Sequence, residues 1–307
     1  MATTSGLTAF NLDLAELIEE AYERCGSELR TGYDMKTARR SLNMLTIEFA
    51  NRGINLWTIE QKQIVLNTNQ YQYIIPNDTI DILDMVTRVN NGTSNQSDVT
   101  ISRISEPTWT SIPNKYAQGR PVQAWINRQT GQVSTTGVTL SSGIGAGDTT
   151  IPVSDGSALQ SSGVINLENE TITYQNVVGN ELQNCFRGQN GTTAVSHGSG
   201  TAVKFNNMST INVYPSPSAP GDQYTLVYYR MRRIQDAGGG TNVQDIPFRM
   251  IPALVAGLSF YLSQKIPTAL PRMPMLKQEY EEQWMLASTE DRDKAPDRYV
   301  PRNLFYA

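Results

Sequence analysis

The chain has a single histidine, His197, within "CFRGQNGTTAVSHGSGTAV" (185–203), a stretch that also holds Cys185, one of only two cysteines. A histidine that moves protons needs a nucleophile or a carboxylate within hydrogen-bond reach. The nearby chain supplies Ser196, Ser199, Asp148, Asp155, Glu168 and Glu170. A zinc centre needs more His and Cys in one place than this chain has. Glu168 and Glu170 are the second possibility. Two apart on one continuous strand, they share a face with side chains roughly 7 Å apart, a separation compatible with glycoside hydrolysis. Each has a structural reading too: a histidine satisfied in a glycine-rich turn, and two carboxylates on a solvated strand. "GAGDTT" (145–150) lacks the lysine and the strand-to-helix setting of a phosphate loop, and no dinucleotide fingerprint or nucleophile elbow occurs. The expectation is no catalytic residue, no cofactor and no metal.

Composition narrows the partners. At 307 residues the chain is long enough for one large or two modest domains with real cores. Only 18% of residues are charged and the net charge is −4, which argues against a basic surface for nucleic acid. The densest basic groups, Arg39 with Arg40 and the run Arg230 to Arg233, read as solvated helix or strand faces. "MATTSGLTAF" has neither the basic start nor the apolar run of an export signal, so the expected setting is the cytosol where the chain is made. There Cys25 and Cys185 read as small buried hydrophobes rather than a disulfide. The longest apolar run, Ile251 to Leu262, is too short to cross a membrane.

The elements that must position these residues follow from periodicity. After Asn11 or Asp13 as caps, Leu14, Leu17, Ile18, Ala21 and Cys25 mark one helical face, with Gly26 as its stop. A second helix starts at Asp34 and carries Ala38, Leu42, Leu45 and Phe49, with Gly53 as its stop. "TIEQKQIVL" and "YQYIIP" read as strands flanking "NTNQ". "DILDMVTRV" reads as strand or short helix, while "PVQAWINRQ", "TINVYPSPS" and "QYTLVYYRMRR" read as strands. Ile251 to Ser263 is apolar on nearly every face and so a helix buried all round. Leu276, Tyr280, Trp284 and Ala287 mark a final amphipathic helix, with Glu279, Glu281 and Glu282 on its wet side. Pro296 and Pro301 break any continuation. The apolar tip beyond them either folds back on its own surface or docks into a partner.

The middle differs in kind. From Gly137 to Val203 there is one Lys or Arg, Arg187, and eleven of the 23 glycines. Short strands there are punctuated by "GAGD", "SDGS" and "VGNE". This reads as a small all-β unit inserted in a loop between two paired outer strands. The fold class expected is therefore α+β, a helical bundle core with a small antiparallel β-sheet, plus an inserted all-β domain. Its divisions are an outer core in two parts, 1–137 and 204–307, around an insertion at 138–203.

Several stretches carry a resemblance. "ANRGINLWTIEQKQIVL" with "YQYIIPNDTIDILD", "PNKYAQGRPVQAWINRQ", "INVYPSPSAPGDQYTLVYYRMRRIQDA", and "IPALVAGLSFYLSQKI" with "LKQEYEEQWMLASTEDRD" resemble the head-to-tail adaptor (connector) proteins of short-tailed bacteriophages. The likeness covers roughly 1–137 and 204–307. "NKYAQGRP" and "EDRD" are its more specific elements. The insertion is similar to a small β module of phage virion proteins. The matching positions are Thr150, Ile151, Val153, Glu170, Tyr174, Arg187, Gly188, Gly191, Thr192, Ala194, His197, Gly200 and Val203. Cys185 stands where such modules usually carry an aliphatic residue. On this likeness His197 belongs to a structural signature.

The resemblance implies a homo-oligomeric ring of about twelve copies beneath the capsid portal protein, in the virion neck. DNA would pass through its channel without specific binding, as a mildly acidic protein permits. Tail nozzle, needle or fibre proteins would attach below. The C-terminal extension, with Arg302, Asn303, Leu304, Phe305 and Tyr306, would contact the portal. The competing expectation is a tail-associated carbohydrate-binding or hydrolytic component acting through the β insertion.

Overall fold

A computed structural model describes residues 10–30, 32–53, 56–218 and 224–291. In chain order its elements are α1 (Leu14–Cys25), α2 (Gly32–Asn51), β1 (Ile59–Val65), β2 (Gln72–Ile74), β3 (Thr79–Val89), β4 (Ser97–Thr100) and β5 (Ser102–Arg103). Next come α3 (Glu106–Thr110), β6 (Gln118–Gly119), β7 (Gln123–Asn127), β8 (Val133–Thr139), β9 (Ile151–Pro152), β10 (Gly163–Leu167) and β11 (Glu170–Tyr174). The rest are β12 (Asn176–Val178), β13 (Glu181–Gln183), β14 (Phe186–Gln189), β15 (Ala202–Asn206), β16 (Thr210–Tyr214), β17 (Ser216–Pro217), β18 (Tyr224–Arg232), α4 (Ile251–Ser263) and α5 (Met273–Glu290). Two compact units result, Met1–Ile59 with Arg233–Ala307, and Glu60–Arg232.

In the first unit, α1 begins at a reciprocal cap. The Asp13 carboxylate accepts from the Glu16 N–H while Glu16 accepts from the Asp13 N–H, satisfying two donors the helix leaves open. It ends at Gly26, whose φ of 72° is left-handed. Ala38, Leu42, Leu45 and Phe49 of α2 are fully buried and share one core with α1, α4 and α5. The last helix buries Leu276, Tyr280, Trp284 and Ala287, the residues its periodicity marks. Glu279 and Glu281, read as the wet side, pair with Arg24 of α1 and with Arg52 just past the end of α2. Gly257 of α4 lets this core close. A Cβ there would lie 2.9 Å from both Leu45 methyls and from Tyr280 Cε2. Gly257→Val is therefore expected to cost about 1–3 kcal/mol by overpacking, read as a lower urea midpoint. An unchanged midpoint would mean that the helices separate freely at this point.

The expectation of a helical bundle core with a small antiparallel sheet is overturned. Strand exceeds helix, 33% against 29%, and the strands form five sheets among the described residues. Nor are they uniformly antiparallel, since β5 runs parallel to β7 and β17 parallel to β6. The helical segments announce themselves by local period, whereas short strands become sheets only through partners far away in sequence.

The second unit shows how far away. One sheet has the order β1-β18-β3-β4 and another β2-β16-β7-β5. Thus β1 and β2 flank Asn67–Gln70 but enter different sheets, and the Tyr73 hydroxyl closes the turn by donating to the carbonyls of Asn67 and Gln70. The ambiguous "DILDMVTRV" lies within the long strand β3. Side chains from both sheets meet in one core, including Ile82, Met85, Leu226 and Tyr228 with Tyr73, Ala124, Ile211 and Val213. Arg230 corrects the reading of its basic run as a solvated face. It sits at a register shift of β18, only 4% exposed, pairing with Asp78 and Glu60.

Strands β7 and β16 pair antiparallel, Asn127 opposite Thr210, and the chain between them forms the remaining β structure. A five-stranded sheet has the order β14-β11-β10-β15-β8, and a three-stranded one β12-β13-β9. They enclose their own core, with Ile151, Ile165, Leu167, Ile172, Tyr174, Leu182 and Cys185 fully or almost fully buried.

Candidate functional site

Glu168 and Glu170 do not share a continuous strand. The chain reverses between them, with Leu167 of β10 opposite Glu170 of β11. Glu168 opens the two-residue loop at φ 51°, a left-handed place that glycine or asparagine usually fills. That strained position carries a carboxylate whose Oε2 lies 3.2 Å from His197 Nδ1. On the other side of the ring, Nε2 lies 2.9 Å from Glu170 Oε2. A two-way backbone bridge to Ile144 anchors His197, and its side chain is wholly buried.

Glu170 is the centre of the cluster. Arg187 donates to both its oxygens, Nε to Oε1 at 2.7 Å and Nη2 to Oε2 at 2.8 Å. The N–H groups of Gly188 and Val195 add bonds of 3.0 and 3.2 Å. Arg187 gives two more donors to the carbonyls of Gly145 and Val195, both at 2.6 Å. Burial alone would push the Glu170 carboxyl up. The bonds from Arg187, His197, Val195 and Gly188 outweigh it and hold the group down at about 2. Both Glu170 oxygens are thus spent on five donors. The imidazole fills the space between the two carboxylates, where a glycosidase would seat a sugar or a water.

The other candidates are not drawn in. Asp148 accepts from the N–H of Gly145, and Asp155 from the N–H and hydroxyl of Ser157, each within its own turn. Ser199 donates to the Ser141 carbonyl. Cys25 and Cys185 are free and buried, and burial pushes their thiols up to about 11 and about 12. Among the described residues no three His, Cys, Asp or Glu converge as metal ligands, and no helix is long and apolar enough to cross a membrane. Arg302, Asn303, Leu304, Phe305 and Tyr306 lie outside the described residues.

The sequence reading missed a cleft of about 690 Å³ in the Glu60–Arg232 unit. One wall is a face of the β2-β16-β7-β5 sheet. Pairing puts Gln72 opposite Asn212, and Asn212 opposite Trp125, in one cross-strand row. Trp125 stacks at 5.9 Å on Trp109, which contacts Tyr71 at 5.7 Å, and Tyr71 meets Tyr116 at 5.8 Å. Both tyrosine hydroxyls donate to the Gln175 carbonyl. No local spacing links Tyr71, Trp109, Tyr116, Trp125 and Gln175, so only the fold could reveal them.

Neither a scan against protein-family models nor a search of the curated proteins returned a match for this chain.

Proposed function

We propose that the chain is a structural virion protein without catalytic activity, a ring-forming adaptor that joins the capsid portal to the tail and lets DNA pass. The likeness of its quoted stretches to phage connectors supplies the identity of the assembly. The observation that carries the reading is the apolar surface left on the helices. Met44 and Ile47 of α2, three residues apart and therefore neighbours, are 53% and 52% exposed. On α5, Met275 and Leu286 are exposed on one line three turns long, and Met285 adjoins it. A second copy of the chain is the partner proposed for these faces. On α1, Glu16, Glu19 and Glu23 form an exposed acidic row, which favours DNA sliding past over DNA binding.

Further support comes from the His197 cluster, whose saturated bonds suit a role in holding the β structure together. The terminal segment with Leu304, Phe305 and Tyr306 is the proposed grip on the portal. Each apolar group buried there contributes roughly 1.5–3 kcal/mol before ordering costs, multiplied around a ring.

Native mass measurement of the purified chain, with and without portal protein, tests the proposal. The expected result is a portal-bound ring of about twelve copies, lost when Arg302 to Ala307 are deleted from an otherwise folded subunit. A chain that stays monomeric beside the portal overturns the ring. A truncated chain that still binds normally moves the contact away from the terminus.

A further inference from the structure

We propose that the aromatic cleft walled by Trp125, Tyr116 and Gln175 is a binding site for a neutral, hydroxyl-rich oligosaccharide. The proposal is independent of ring formation.

The first reason is the chemistry of a covered sheet face. In the β2-β16-β7-β5 sheet, Tyr73, Ile211, Val213, Ala124 and Ile126 turn to the apolar core. The alternate residues line the cleft, and there Gln72, Thr210 and Asn212 are 5%, 1% and 2% exposed. A covered face normally carries apolar side chains, because buried polar atoms need partners. Here the amides are left wanting. Gln72 Oε1, both Oε1 and Nε2 of Gln175, and Asn206 Oδ1 have no hydrogen-bond partner. All three residues line the cleft and are more than nine-tenths buried. Each unmet group costs on the order of 1–3 kcal/mol, and a ligand rich in hydroxyls would meet several of them at once. The last torsion of a glutamine or asparagine side chain is soft, so these amides can turn toward a guest.

The second reason is what the cleft offers such a guest. Side-chain amides both donate and accept, which matches the hydroxyl groups of a sugar. Trp125, half-buried, and Tyr116, 40% exposed, supply ring faces for its C–H surfaces. The volume lies within the range of small-ligand sites. Other classes fit less well. Among the described residues, Glu106 and Lys115 are the only charged ones on the lining, too few for a phosphate backbone. A peptide strand needs a free sheet edge, and of the strands lining the cleft from this sheet β16 and β7 are inner and already paired, leaving only the three-residue β2 at an edge.

Full-length protein is titrated with chitotetraose, maltotetraose and mannotetraose, with binding read by calorimetry and by tryptophan emission. Oligothymidylate and tetra-alanine are run beside them. Saturable binding of at least one tetrasaccharide, and of neither control, is expected. Gln175→Met keeps the length of the side chain and removes its unpaired atoms. It is expected to weaken that binding about tenfold while leaving the thermal midpoint unchanged or raised. Three flat saccharide titrations overturn the proposal. So does binding of the nucleotide or peptide control in their place, or a Gln175→Met protein that binds as tightly as the parent.

Discussion

Arg187→Ala is expected to lower the unfolding free energy of the Glu60–Arg232 unit by about 3–5 kcal/mol, the range for removing one partner of a buried ion pair. The side chains of Arg187 and Glu170 are 6% and 0% exposed, so no water replaces the guanidinium. Truncation also removes the bonds to the carbonyls of Gly145 and Val195, which are exposed and add little to the cost. His197→Ala removes a smaller share, on the order of 1–3 kcal/mol, because it takes one bond from Glu170 and one from Glu168. Glu168→Gln should stay below about 1 kcal/mol, since that carboxylate is 67% exposed and faces solvent screening. Urea titration of the four proteins gives the order directly. An Arg187→Ala midpoint equal to the parent's would remove the structural account of the cluster.

The same cluster sets a pH signature. The Glu170 carboxyl titrates at about 2 in the folded chain against an ordinary 4.5. A depressed folded value means that its stabilisation is complete above 4.5 and disappears as the pH falls through 2. Over that window the contribution is about 3 kcal/mol. Stability of the parent should therefore fall more steeply between pH 4.5 and 2 than that of Glu170→Gln, which starts lower and has no such proton to take up. Parallel acid limbs would show that Glu170 is not held as described.

The second large effect concerns assembly. Met285→Glu combined with Leu286→Glu is expected to leave a folded subunit that does not form the proposed ring on the portal. Both side chains lie on the outer surface of α5, 67% and 65% exposed, so the subunit loses no core contact. Its stability should remain within about 0.5 kcal/mol of the parent. In a ring the two carboxylates would be buried at every junction, and that repeated cost is what stops closure. Native mass and far-UV dichroism separate the two effects. A normal ring from this protein would show that α5 is not the interface.

Much of the helical unit was legible from local spacing alone. Asp13, Gly26, the period of Leu14 to Cys25 and that of Leu276 to Ala287 each act within a turn or two, so neighbours in sequence suffice to read them. The all-round apolar Ile251–Ser263 segment likewise announces a buried helix. The β structure was legible as strands but not as sheets. The Tyr71–Pro76 segment reads as a strand, yet its partner β16 lies far along the chain and nothing in it names that partner.

At the sites the division is sharper. His197, Glu168 and Glu170 could be singled out by residue type, and the structure does bring them together. Their period was misread because a two-residue loop at Glu168 turns one apparent strand into a hairpin. Composition, with a net charge of −4, argues against a basic surface suited to phosphate. What only the tertiary structure decided is which polar groups meet: Arg187 with Glu170, Arg230 with Asp78, and the row of Gln72, Asn212 and Trp125. The physical reason is that strand register and burial are set by pairing across long stretches of chain, whereas periodicity reports only which side of its own element a residue faces.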